Sequence, residues 1–296
     1  MYFSCALHTA KLSAVVTALS LALSATGHAD ISITFGTYAP DKPSAMVKQL
    51  SPSLKELSRL TSEILAEPVQ IQLKIVRGYA ACIKQIVDGR VDFTRVGPAS
   101  YVAAKDANPG IRILAVEKKR GKKTFNGIIA VHRDSPLTTL QDLRGKNFGF
   151  GNERSTLGRY FAQLYLMEAG IRSADLGSFK YLGRHDKVGR AVGTKLVDAG
   201  ALEETTFHKV VKAGVPIRAI AKMENSTRPW IARNGLNDRV FDGLRKAMLD
   251  LSNKKVLKAL RFGGFLPGSD ADYVATRRAI KENSKFFSPS KVTSAQ

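Results

Sequence analysis

Cysteine is almost absent from this chain. Of 296 residues only Cys5 and Cys82 carry a thiol, and Cys5 lies ahead of the one long apolar run, residues 12–26 (LSAVVTALSLALSAT). That run follows Lys11 and leads into Gly27-His28-Ala29, the pattern of a secretory leader cut after Ala29. At about 15 residues it is shorter than the roughly 20 that span a bilayer. From Asp30 onward Cys82 stands alone, which excludes an intramolecular disulfide. An exported protein of this size then has to be held by its apolar core, which fits a bacterial periplasm better than a disulfide-stapled extracellular domain. Histidine is scarce too: there are five, His8 and His28 fall in the leader, and no Cys/His spacing suggests a metal site. No Gly-Lys-Ser/Thr follows a glycine-rich strand, no dinucleotide fingerprint is complete, and no G-x-S-x-G elbow occurs. Internal repeats and low-complexity tracts are missing as well.

Acidic residues are outnumbered. Against 46 Lys and Arg there are 25 Asp and Glu, a formal net charge of +21, or +20 once Lys11 leaves with the leader. Such an excess steers anions toward the protein. Nucleic acid would call for clustered basic residues with stacking aromatics. The one short cluster is Lys118, Lys119, Arg120, Lys122 and Lys123 and the rest is scattered along helices, so the reading is a solvated basic surface and no nucleic-acid partner.

The roughly 267 residues after Ala29 exceed what one core usually spans, which implies two lobes. Apolar periodicity gives strands at 32–37, 69–75, 96, 111–116, 127–132, 147–150, 179–182, 195–201 and 215–221. Helical spacing lies between them: from Pro43 with Pro52 expected to kink or split it, from Tyr79 to Gly89, from Pro98, after 155, from 186 to 193, and from Asp238 on. Strands alternating with helices make the class α/β.

The stretch that organises the chain is residues 147–160, NFGFGNERSTLGRY, a glycine-interleaved strand running into a hydroxyl-rich helix start. Ser155, Thr156 and Gly158 fall at the helix N-terminus, where the first N–H groups lack intrahelical acceptors and the dipole is positive. Two hydroxyls and free amides can wrap a tetrahedral oxyanion. A plain N-cap role for Ser155 or Thr156 explains the same residues. His185 follows the strand at 179–182 and Asp198 lies in the strand at 195–201. An imidazole donates to a phosphoryl oxygen and a carboxylate accepts from P–OH or pairs with an ammonium; a cap and a turn residue are the plain alternatives. As a hydrolytic triad Ser155, His185 and Asp198 lack the elbow and an oxyanion-hole partner.

Four runs, GRVDFTRVGPASY, DLRGKNFGFGNERSTLG, LGRHDKVGRAV and KLVDAGAL, together resemble the periplasmic solute-binding proteins of phosphate, phosphite and phosphonate ABC transporters, over roughly residues 31–265. The resemblance implies a type II two-lobed binding-protein fold with a discontinuous first lobe (30–121 and 223–296) and a second lobe (122–222). Two crossing strands, near 117–126 and 215–223, would join them and close as a hinge. It implies a monomeric, non-enzymatic receptor that passes a small phosphorus oxyanion to an inner-membrane ABC permease, without cofactor or metal. The family's anion loop falls on Ser155, Thr156, Leu157 and Gly158, its cleft tyrosine on Tyr101, its histidine on His185 and its aspartate on Asp198. Tyr79 matches the aromatic position that opens the helix before G-x-V-D, and Tyr38, at the end of the first strand, is a further candidate ligand contact. Leu157 departs from the pattern, where a serine is usual, and removes one hydroxyl donor. Two other roles on the same scaffold are a sensory partner of a membrane signalling protein and an enzyme.

Overall fold

The alternation of strands and helices builds two sheets, one in each lobe. A computed structural model describes residues 30–38 and 43–288; the expected leader, residues 1–29, lies outside them. The first lobe opens with β1 (Ile31–Tyr38), α1 (Pro43–Leu65), β2 (Val69–Val76), α2 (Gly78–Val87), β3 (Phe93–Arg95), α3 (Pro98–Ala107) and β4 (Arg112–Glu117). The second holds β5 (Thr124–His132), β6 (Asn147–Phe150), a π-helical turn (Thr156–Phe161), α4 (Ala162–Glu168), β7 (Ser178–Tyr181), α5 (His185–Gly193), β8 (Ala199–Glu203), α6 (Glu204–Lys212) and β9 (Ile217–Ser226). The chain then returns through β10 (Pro229–Ala232), α7 (Asp238–Leu249), α8 (Lys254–Leu260), β11 (Phe265–Leu266) and α9 (Val274–Lys281).

The first sheet has the order β11-β4-β10-β3-β1-β2 and the second β7-β6-β8-β5-β9. Around β1, β2 and β3 in one and β6, β7 and β8 in the other the pairing is parallel, so in each lobe several strands end at one edge, where ligand crevices form. Phe35, Phe93 and Trp230 pack together at the centre of the first lobe, with ring centroids 4.9 Å apart for Phe35 against each of the other two. Onto that core α1 lays Met46, Leu50, Leu54 and Leu57, while Val47 and Ile64 face solvent. Each buried Leu is worth about 1.5–3 kcal/mol. Pro52 does not split α1; it sits on the exposed side, where the carbonyl it leaves unpaired can reach water.

The passage between lobes differs from the expectation at its second crossing. β9 stays paired with β5 from Ile217 to Ser226, so the return falls at 227–228 and not at 215–223. There the two crossing segments bond each other: the Thr227 N–H donates to the Lys123 carbonyl at 2.7 Å and the Glu117 N–H to the Arg228 carbonyl at 3.1 Å. The end of the chain also departs from a simple assignment of 223–296 to the first lobe. Phe286, beyond α9, is buried edge-on against Phe150 of the second lobe, centroids 5.8 Å apart, because the apolar residues after Ile280 find their partners across the cleft.

Candidate functional site: an inter-lobe cleft with a small inner nook

The inner end of the cleft lies where two helix starts meet. Gly97 and Pro98 open α3 from one lobe, and Ser155 caps the π-helical turn from the other. Gly151 and Gly158 explain themselves here: a Cβ on Gly158 would stand 2.8 Å from the Gly151 Cα, and the Gly151 N–H donates to the Gly158 carbonyl at 2.7 Å. Only glycines let strand end and helix start approach so closely. Ser155 Oγ accepts from the Gly158 N–H at 3.0 Å, so the cap reading holds for that bond, yet its own hydroxyl proton remains to donate. Thr156 Oγ1 accepts from the Ala99 N–H of α3 at 2.9 Å. One hydroxyl thus ties the lobes together and keeps a proton for a second partner. The N–H groups of Thr156 and Leu157 have no acceptor among the described residues. π-helical turns recur at functional sites because they displace such groups from the ladder.

Around these donors the structure brings Tyr38, Tyr79, Ser155, Thr156 and His185 into one nook of about 30 Å³, together with Phe125, Asn225 and Arg228. The Tyr38 and Tyr79 rings pack 4.3 Å apart, and burial, with Tyr79 beside it, pushes the Tyr38 phenol well above its usual range, so it stays a neutral donor. Burial lowers the His185 imidazole below its usual range against the opposing pull of Glu203, and its Nδ1, closed off from solvent, has no hydrogen-bond partner. Gly158 contributes through its backbone and its lack of a side chain. Leu157, the departure from the family loop, turns into the second-lobe core, against Gly127, where any Cβ would come within 2.8 Å of its methyl group.

Two expected residues lie elsewhere. Asp198 stands at the start of β8, not in its interior, and accepts from the Asn147 N–H at 2.8 Å. A turn follows the helix before it, with Lys195 in a left-handed conformation at φ 59° and the Leu196 N–H donating to the Ala191 carbonyl. The strand therefore begins four residues after the expected start. Five residues of strand, about 16 Å, separate Asp198 from the cleft end of β8. That end carries Glu203, buried at 8 % exposure. Tyr101 is buried one helical turn deeper than Pro98, its hydroxyl donating to Asp270 at 2.7 Å and its ring against Tyr273.

The residues missed by sequence reasoning form a charged cluster at the hinge. Glu203 pairs with Arg228 at 2.6 Å and with Lys119 at 3.3 Å. Glu117 pairs with Arg95 and accepts from Trp230 Nε1 at 3.4 Å. Burial alone would raise the Glu203 carboxyl, but the charges of Arg228 and Lys119 outweigh it and hold Glu203 well below the carboxylate range. Lys119 thus belongs to the cleft, although it sits in the cluster read as solvated surface. Three cations against two carboxylates leave one net positive charge beside the nook. Asn225 is the other omission: 3 % exposed, it lines the nook with neither amide atom hydrogen-bonded among the described residues. A single Asn in a strand gives no periodic signal. A buried amide with both ends free is a donor and an acceptor waiting for one partner.

Residues 35–273 match the family described as ABC transporter, phosphonate, periplasmic substrate-binding protein. The chain belongs to this family. As a member it is a transporter substrate-binding protein, a class of receptors and not of enzymes. It is 23 % identical over 256 residues to the probable ABC transporter phosphite binding protein PhnD1 of Prochlorococcus marinus (strain MIT 9301), covering 78 % of this chain and 86 % of that one. Against the phosphonates-binding periplasmic protein of Escherichia coli (strain K12) identity is 22 % over 261 residues, 83 % and 75 % of the two chains. The solved structure of PhnD1 in complex with methylphosphonate superposes with a TM-score of 0.75 at 21 % identity, covering 86 % of this chain and 98 % of the other. These likenesses establish the two-lobed binding-protein fold.

Proposed function

We propose that this phosphonate-family receptor captures a small phosphorus oxyanion, a phosphonate, phosphite or phosphate, in the nook between its lobes and delivers it to an inner-membrane ABC permease. The observation that carries this reading is the convergence of donors. The hydroxyls of Ser155 and Thr156, two unpaired helix-start N–H groups, the Asn225 amide and the Tyr38–Tyr79 pair surround one small space with a net positive charge behind it. Charge-assisted hydrogen bonds from pre-set donors are the strong ones. His185, neutral, can donate to a phosphoryl oxygen or accept from P–OH. The Asn225 carbonyl oxygen is a second acceptor, and an acceptor of this kind disfavours fully deprotonated oxyanions such as sulfate. Asp198 and Tyr101 have no part in this site.

In this reading the protein is exported with loss of residues 1–29, works as a monomer, and closes about the passages at 118–123 and 227–228, with the C-terminal helix bridging the lobes. Isothermal titration of the processed protein with phosphate, phosphite, methylphosphonate, 2-aminoethylphosphonate and sulfate tests it. Binding of at least one phosphorus anion and rejection of sulfate is the expected result; sulfate as the preferred anion, or no binding at all, overturns it.

A further inference from the structure

The nook opens outward into a cavity of about 550 Å³ that reaches from α1 and the end of α8 on one lobe to α5 and α6 on the other. Cavities of this size hold organic ligands and not bare oxyanions. It is this large although the Thr156–Ala99 hydrogen bond already joins the lobes at its inner end. Its wall carries seven cationic side chains and three carboxylates. All three carboxylates are engaged: Glu203 by Arg228 and Lys119, Glu117 by Arg95, Asp186 by Arg184. Glu117 keeps one oxygen without a hydrogen bond, but that residue is fully buried and also lies in the field of Arg228. A substrate ammonium therefore meets no free carboxylate here.

Three of the cations are different. Arg190 on α5, Lys209 on α6 and Arg261 just past α8 line the outer cavity with no ion-pair partner among the described residues. Two stand on the second lobe and one on the first, so an anion held among them would be gripped from both sides. Arg261 keeps its side chain at a left-handed backbone position, φ 63°, where glycine is the less strained choice.

We propose that the ligand is an organophosphorus oxyanion whose substituent carries a second negative charge. The phosphorus group sits in the nook and the distal anion lies between Arg190 and Lys209 on one lobe and Arg261 on the other. This deepens the proposed function and rests on it. The methylene stem would run past the apolar parts of Met46, Leu260 and Phe262, which line the same cavity.

Titration calorimetry at low salt on the processed protein tests the proposal with phosphonoacetate, 3-phosphonopropionate and 4-phosphonobutyrate as dianionic probes. Methylphosphonate and propylphosphonate serve as neutral-tail controls and 2-aminoethylphosphonate as the cationic one. Three partly screened ion pairs correspond to about a tenfold gain, so the best carboxylate probe should bind about tenfold tighter than either neutral-tail control, and 2-aminoethylphosphonate weakest. The triple variant Arg190→Gln, Lys209→Gln, Arg261→Gln should lower affinity for that probe by about fivefold more than for methylphosphonate, with thermal unfolding confirming an intact fold. If 2-aminoethylphosphonate matches the carboxylate probes, or these bind no tighter than methylphosphonate, the distal site is wrong while the phosphorus seat stands. If no phosphorus anion binds, both readings fall.

Discussion

The inner nook and the outer cavity of one cleft are built on opposite principles. The nook is small, about 30 Å³, and most of its polar contacts are neutral groups fixed by backbone: helix-start amides, hydroxyls already holding one bond, a buried amide. The outer cavity is wide and carries the exposed cations Arg190, Lys209 and Arg261. Fixed neutral donors lose little freedom when they engage, so they discriminate by geometry. Exposed charges act at longer range, are screened by salt and contribute little each. Between the two sits the Arg228–Glu203–Lys119 cluster, which belongs to the hinge as much as to the site.

The largest effect should come from breaking that cluster. Arg228→Met leaves Glu203 with Lys119 alone in a buried setting. Removing one partner of a buried pair costs about 3–5 kcal/mol, to be read from urea unfolding, with a double variant that adds Glu203→Gln recovering part of the loss. An unchanged midpoint for the single variant would mean that water, not Arg228, satisfies the carboxylate.

Next in size are the nook donors. If the proposed site holds the anion, Thr156→Val and Asn225→Ala should each remove a hydrogen bond worth about 1.5–3 kcal/mol, a tenfold to hundredfold loss of affinity for the preferred anion. Ser155→Ala separates the two roles of a capping hydroxyl: loss of stability alone, about 0.5–2 kcal/mol, marks a cap, whereas loss of affinity marks a ligand donor. Asp198→Ala provides the contrast, with ligand affinity retained and about 1 kcal/mol of stability lost with the bond from Asn147.

Acid should produce a graded effect. Both His185 and Glu203 have folded-state pKa values depressed below their unfolded ones, so each adds stability at high pH that is lost as pH falls. For His185 the loss begins below its ordinary value of 6.5 and for Glu203 below 4.5. Melting temperature should therefore decline in two stages on acidification, and His185→Gln should remove the first. A melting temperature flat from pH 7 to pH 5 would show that His185 titrates normally.

Much of this architecture was legible in residue order. The 2.0 and 3.6 periodicities placed β1 to β9 and most helices but missed α6, β10 and β11, and Gly151, Ser155, Thr156 and Gly158 marked the close approach of strand end and helix start, because local spacing encodes strand, helix start and close approach. Where the reading slipped, the cause was a boundary. Treating residues 195–201 as strand put Asp198 near the cleft, but the left-handed turn at Lys195 delays the strand and hands the cleft position to Glu203. The same kind of slip set the return crossing at 215–223, since an apolar run reads alike whether it crosses between lobes or stays paired along one sheet edge.

By itself the sequence determined the class, the two-lobe division and the glycine-rich helix start that carries the proposed anion seat, since these follow from spacing along the chain. Tertiary structure alone decided which charges meet. Lys119, Glu203 and Arg228 look like ordinary surface residues in sequence, and Asn225 like any polar residue on a strand. They meet only because the crossing segments bring positions 25 and 84 residues apart to within hydrogen-bonding distance. A pairing made across the fold leaves no periodic trace along the chain.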